Sequence, residues 1–146
     1  MQEYTIHPLA VGINETDQGV MTYLRDYGKR ILLHPIDHRY YSDVLDDVNV
    51  IEVDGDANIF DGIDVIFTPG HTVGGQSISI NTSNGKAIIT GFCCNEKNFP
   101  ANGPAVASGV HINVMEAYDS AQKIKKMADI LIPLHDLSTG RVRSIP

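Results

Sequence analysis

The run Ile66-Phe67-Thr68-Pro69-Gly70-His71-Thr72-Val73-Gly74-Gly75-Gln76-Ser77 sets a histidine in a proline-glycine turn between two strand-like stretches. Asp64-Val65-Ile66-Phe67 reads as a strand, and Pro69 with Gly70 ends it, because proline offers no backbone donor and glycine accepts turn conformations that other residues avoid. Gln76-Ser77-Ile78-Ser79-Ile80 then alternates polar and apolar residues with the period of a half-buried strand. A chain so patterned must present His71 at the rim of a sheet, in the manner of a metal-ligand loop.

A second segment repeats this logic. Ala128-Asp129-Ile130-Leu131-Ile132-Pro133-Leu134-His135-Asp136 passes from an apolar strand into a proline-containing turn that again carries a histidine. Between the two segments, residues 81–85 (Asn-Thr-Ser-Asn-Gly) read as a hairpin loop joining strands 78–80 and 86–90, with glycine at a position suited to positive φ. Residues 95–108 have no periodicity and read as a long loop. Asn113 as N-cap with Glu116 three residues on predicts a capping box and a helix to about Met127. Val114, Ala117, Tyr118, Ala121, Ile124 and Ala128 would form its apolar stripe. Upstream, residues 4–12 read as an opening strand, 48–53 as a strand, 54–56 as a turn and 63–67 as the strand leading to His71.

The succession of strand, Thr68-Pro69-Gly70-His71, strand, Thr90-Gly91, helix, and strand ending in Pro133-Leu134-His135-Asp136 resembles the C-terminal half of metallo-β-lactamase-fold hydrolases. Within that superfamily it is most similar to the lactonase-like metal-dependent hydrolases, over residues 48–137. The resemblance implies an α/β fold, a metallo-β-lactamase-like αββα sandwich present here in part, mainly its C-terminal half. It implies metal ligation by His71 and His135, with a divalent metal, zinc, as cofactor and two ions in the complete family. It also implies a small-molecule substrate, an ester, lactone or amide, attacked by a metal-bound hydroxide with no protein nucleophile.

Two departures qualify that pattern. The family's N-terminal half carries a His-x-His-x-Asp-His signature, which is absent here; His34-Pro35-Ile36-Asp37-His38 has a different spacing and a proline inside it. Phe92 stands where the family places a bridging aspartate straight after Thr-Gly, and it cannot ligate. In lactonase-like relatives, several strands and the signature separate a segment similar to residues 1–32 from anything resembling residues 38–48. One domain over residues 1–146 with an internal deletion near 32–35 is therefore expected. A catalytic zinc takes about three protein ligands, so weak metal binding and little hydrolysis by these ligands alone are expected. The alternative is a non-catalytic, fold-retaining module. A truncated sandwich exposes an apolar face and strand edges, which favours a homo-oligomer.

The remaining features narrow the setting. At 146 residues the chain suits one domain, and its apolar runs fall far short of a membrane span. A net charge of -7 argues against a nucleic-acid partner, which requires a clustered basic face. The two cysteines, Cys93 and Cys94, are adjacent and do not suit a loop-closing disulfide, so a reducing, cytoplasmic setting is expected. Both read as small hydrophobes behind a buried strand. No secretory leader pattern opens the chain, and no Gly-x-Ser-x-Gly elbow marks a serine nucleophile. His7, His34, His38 and His111 read as surface or core histidines, and Asp136 is a candidate to orient His135.

Overall fold

Among the described residues five strands hydrogen-bond into one sheet in the order of the chain: β1 (Ala57–Phe60), β2 (Ile63–Phe67), β3 (Gln76–Thr82), β4 (Gly85–Ile89) and β5 (Ile130–Ile132). The structure, a computed structural model, describes residues 2–6, 53–136, 138–142 and 144–146. These belong to one of the two units into which the chain divides, Met1–Ala10 with Val53–Pro146. The other unit, Val11–Glu52, lies outside the described residues, and with it the expected deletion near 32–35, His34, His38 and the body of the strand expected at 48–53. His7 lies outside them too, and Val53 is not in a strand.

β1 to β4 pair antiparallel in sequence, and β4 pairs parallel with β5. A parallel pair needs a crossover, and here it is the segment containing α1 (Val114–Met127). The β3–β4 hairpin is tighter than the sequence predicts: the strands run on to Thr82 and Gly85, and Gly85 has φ 113°. β1 was not foreseen. Among the described residues it is an edge strand, with three of four residues exposed and an irregular register at Asn58/Phe60, so it lacks the apolar alternation by which strands are recognised.

Side chains directly opposite in a sheet share a face. Ile66 pairs with Ser77, Asp64 and Ile88 with Ser79, and Leu131 with Ile88, so these residues lie on one face. There Ile66 and Ile88 join Ala121 and Ile124 of α1, together with Phe92, Cys94 and Ala105, in the buried core. Ile63, Val65, Ile78, Ile80, Ala87, Ile89, Ile130 and Ile132 pair among themselves and line the other face. The described residues thus form a mixed α/β arrangement of one β layer and one α layer, with an apolar second face of the kind on which the other half of an αββα sandwich packs.

α1 starts and stops as its sequence predicts, because the Asn113 side chain accepts from the N–H groups of Met115 and Glu116. The second arm of the expected capping box is replaced by a tertiary bond, since the Asn113 N–H donates to the Gly70 carbonyl at 3.1 Å. The apolar stripe also needs correction. Val114 and Tyr118 are 49% and 37% exposed, whereas Ser120 is 4% exposed. The Ser120 hydroxyl donates to the Pro69 carbonyl at 2.7 Å, which turns a polar residue inward and rotates the buried face. Of the opening strand expected at 4–12, residues 7–12 lie outside the described residues; Ile6 forms a bridge with Ile145, and the Tyr4 N–H donates to the Asn81 carbonyl. No described helix is long and apolar enough to cross a membrane.

Candidate functional site

β2 and β4 each run antiparallel to β3, and β5 runs parallel to β4, so β2, β4 and β5 all point the same way. Their C-terminal ends form one rim. His71 follows β2, Cys93 and Cys94 follow β4, and His135 follows β5. Both histidines thus follow strands that end on the same side of the sheet.

The turn bearing His71 is fixed from below. The Thr68 N–H donates to the Gly75 carbonyl at 2.8 Å, and the buried Thr68 hydroxyl meets Ser77 Oγ at 3.0 Å. Gly70 has φ 112°, and a Cβ there would lie 2.1 Å from the Ala117 backbone nitrogen. Only a residue without a side chain lets α1 approach so closely. The Gly70 carbonyl accepts from the N–H groups of both Ile112 and Asn113, locking the turn to the start of the helix.

His71 Nδ1 lies 2.7 Å from the Val110 carbonyl oxygen, which can only accept. Nδ1 therefore carries a proton, and Nε2 faces Cys93 Sγ at 3.5 Å. Ser108, buried, donates to the carbonyls of Cys93 and Val110 and holds both segments in place. The reading of both cysteines as small hydrophobes fits Cys94, which is buried against Thr90 Oγ1 at 3.0 Å. It does not fit Cys93, which is half-buried and addresses an imidazole. Burial pushes both thiols above their ordinary range.

His135 is exposed, and its backbone N–H donates to the Cys94 carbonyl at 3.0 Å. Asp136 spends its carboxylate elsewhere. It accepts from Ser138 Oγ at 2.6 Å, from the Ser138 N–H at 2.8 Å and from the Glu96 N–H at 2.6 Å. The candidate role of orienting His135 thus gives way to tying together the loops after β4 and β5. His111 is exposed, with Nδ1 2.7 Å from the Ser108 carbonyl. Phe92 is 3% exposed and packs in the core with its ring 6.4 Å from that of Phe99, so the position after Thr90-Gly91 holds no ligand.

Among the described residues no three His, Cys, Asp or Glu side chains converge on one point. They do not supply the donor set of a two-metal centre. They supply one close donor pair, His71 with Cys93, and a third candidate donor, His135, on a neighbouring strand end.

The hydrogen bonds of Asp136 lower its pKa from the usual 3.8, Ser138 Oγ contributing most and the Ser138 N–H next, while burial opposes them and the Glu96 N–H adds the smallest lowering. A carboxyl whose folded pKa is depressed contributes stability above its unfolded value and loses it as pH falls through the folded value. Thermal stability is accordingly expected to fall as pH drops below about 4. The fall should be shallower in Asp136→Asn, and equal slopes in the two melting series would refute this assignment.

No protein-family model and no curated protein matches the sequence. The chain is similar to parts of several solved structures. One is an N-acyl homoserine lactone hydrolase with the product N-hexanoyl-L-homoserine bound at the catalytic metal center, at 25% identity and TM-score 0.48 over 61% of this chain and 36% of that one. Another is a quorum-quenching N-acyl homoserine lactone lactonase, at 26% identity and TM-score 0.46 over 59% and 37%. A third is a probable metal-dependent hydrolase from Staphylococcus aureus, at 17% identity and TM-score 0.44 over 59% and 32%. The chain thus spans about a third of the length of the structures it matches.

Proposed function

We propose that this chain is part of a metal-dependent hydrolase of the metallo-β-lactamase superfamily, acting on a small ester, lactone or amide, with His71 and His135 as ligands of a divalent metal, zinc. The observation that carries the reading is the common direction of β2, β4 and β5, which brings the Thr-Pro-Gly-His and Pro-x-His-Asp segments to one rim. A metal bound there would activate water and polarise the substrate carbonyl. On the protein side, the Val110 carbonyl fixes the His71 tautomer so that Nε2 is the available donor. Gly70 and the α1 N-terminus hold the turn rigid.

The test is hydrolysis of a lactone and a simple ester by the purified chain in excess zinc, compared with chelated protein and with His71→Ala. Slow turnover is expected because the described ligands are few, and it should be lost both on chelation and in the variant. Turnover indifferent to chelator and to His71→Ala would sink the proposal. No turnover, combined with self-association in light scattering, would instead favour a non-catalytic, homo-oligomeric module.

A further inference from the structure

Ser79 is 1% exposed, and its hydroxyl has no hydrogen-bond partner among the described residues. A buried hydroxyl is costly unless some group bonds to it. This one lines a cavity of about 300 Å³, at the small end of the range for ligand sites. Asp64 stands directly opposite Ser79 on β2. Lys86 shares that face, two residues before Ile88, which pairs with Ser79 from β4. Met127, the last residue of α1, and Ile66 add apolar wall. The cavity sits where β2 and β4 begin, whereas His71 and Cys93 follow the ends of those strands.

The charges around the cavity are unevenly matched. Asp56 is satisfied, since Lys123 Nζ donates to both of its oxygens, at 3.0 and 3.1 Å, and the Phe67 N–H donates to Oδ1. Asn58 Nδ2 donates to Asp64 Oδ1 at 2.8 Å and to the Phe60 carbonyl at 2.8 Å, which fixes the Asp64 carboxylate and leaves Oδ2 for another donor. Among the described residues the one ion pair is Lys123 with Asp56, so Asp64 and Lys86 line the cavity without an opposite charge.

We propose that this cavity binds a small zwitterion, an α-amino acid with an aliphatic side chain. Its ammonium donates to Asp64 Oδ2 and Ser79 Oγ, its carboxylate accepts from Lys86 Nζ, and its side chain lies against Met127. A simple amine would leave Lys86 uncompensated and a simple acid would leave Asp64 so, and both hydrogen bonds to charged groups are of the stronger kind. The site is separate from the His71 rim and does not depend on the hydrolase reading.

Amide NMR spectra of the isotope-labelled full chain, titrated with L-valine, test this. Saturable shifts at Asp64, Ser79 and Lys86 are expected, with one ligand per chain and a Kd at or below about 1 mM. L-valinamide, which lacks the carboxylate, and N-acetyl-L-valine, which lacks the ammonium, should each bind at least tenfold more weakly. Asp64→Asn should weaken L-valine at least tenfold, and Ser79→Ala about threefold or more. Without ligand, Ser79→Ala should melt no lower than the parent, because it removes a hydroxyl that has no partner. No shifts at about 10 mM L-valine, tenfold above that expected limit, would overturn the proposal. So would either derivative binding as well as L-valine, unchanged affinity in Asp64→Asn, or a lower melting temperature of Ser79→Ala, which would mean that its hydroxyl is already satisfied.

Discussion

Gly91→Ala is expected to prevent the sheet from closing, with a loss of stability above about 3 kcal/mol, in the range reserved for severe backbone or core disruption. A Cβ at residue 91 would lie 1.5 Å from the Gln76 carbonyl oxygen and 2.5 Å from its carbonyl carbon, both rigid backbone atoms. No rotamer change relieves that overlap. The chain leaving β4 would have to separate from the first residue of β3, breaking the bond from the Gly91 N–H to Ser77 Oγ at 3.0 Å. Because Ser77 also holds Thr68, the damage would reach the turn carrying His71. Circular dichroism and thermal melting of the purified variant provide the measurement. A Gly91→Ala protein melting within about 4 °C of the parent, the shift worth about 1 kcal/mol in a domain of this size, would show that the backbone yields there.

Ile88→Ala is expected to cost about 2–5 kcal/mol, the usual range for emptying a fully enclosed aliphatic site. Ile88 is 0% exposed and stands on β4 between its neighbours β3 and β5, facing the helix residues Ala121 and Ile124. Sheet and helix approach from opposite sides, and the surrounding backbone is held by pairing on both edges of the strand, so little collapse into the cavity is open to it. Met115, on the same helix but 66% exposed, provides the control, since its truncation should change stability by no more than about 0.5 kcal/mol. Urea denaturation of the two variants decides the matter. A loss below about 1 kcal/mol for Ile88→Ala would mean that the sheet and helix close the gap.

What the sequence by itself determined is what short-range chemistry controls. Strand β2 ends where Pro69 and Gly70 forbid its continuation, β3 follows from the polar-apolar alternation of residues 77–81, and α1 begins at Asn113 because that side chain caps two otherwise unpaired donors. Each of these signals lies within a few residues of its effect. The two histidine turns were legible for the same reason.

Tertiary structure decided the rest. β1 is held by pairing with β2 and its exposed side chains carry no core pattern. Ser120 replaced Val114 and Tyr118 on the buried face of α1 because the Pro69 carbonyl, 51 residues away, accepts its hydroxyl proton. Asp136 serves Ser138 and Glu96 and not its neighbour His135, since the turn after β4 brings the Glu96 N–H within reach. Cys93 and His71 are 22 residues apart and meet only because β3 aligns the ends of β2 and β4. A sequence lists donors one by one, and the distance between two of them belongs to the sheet.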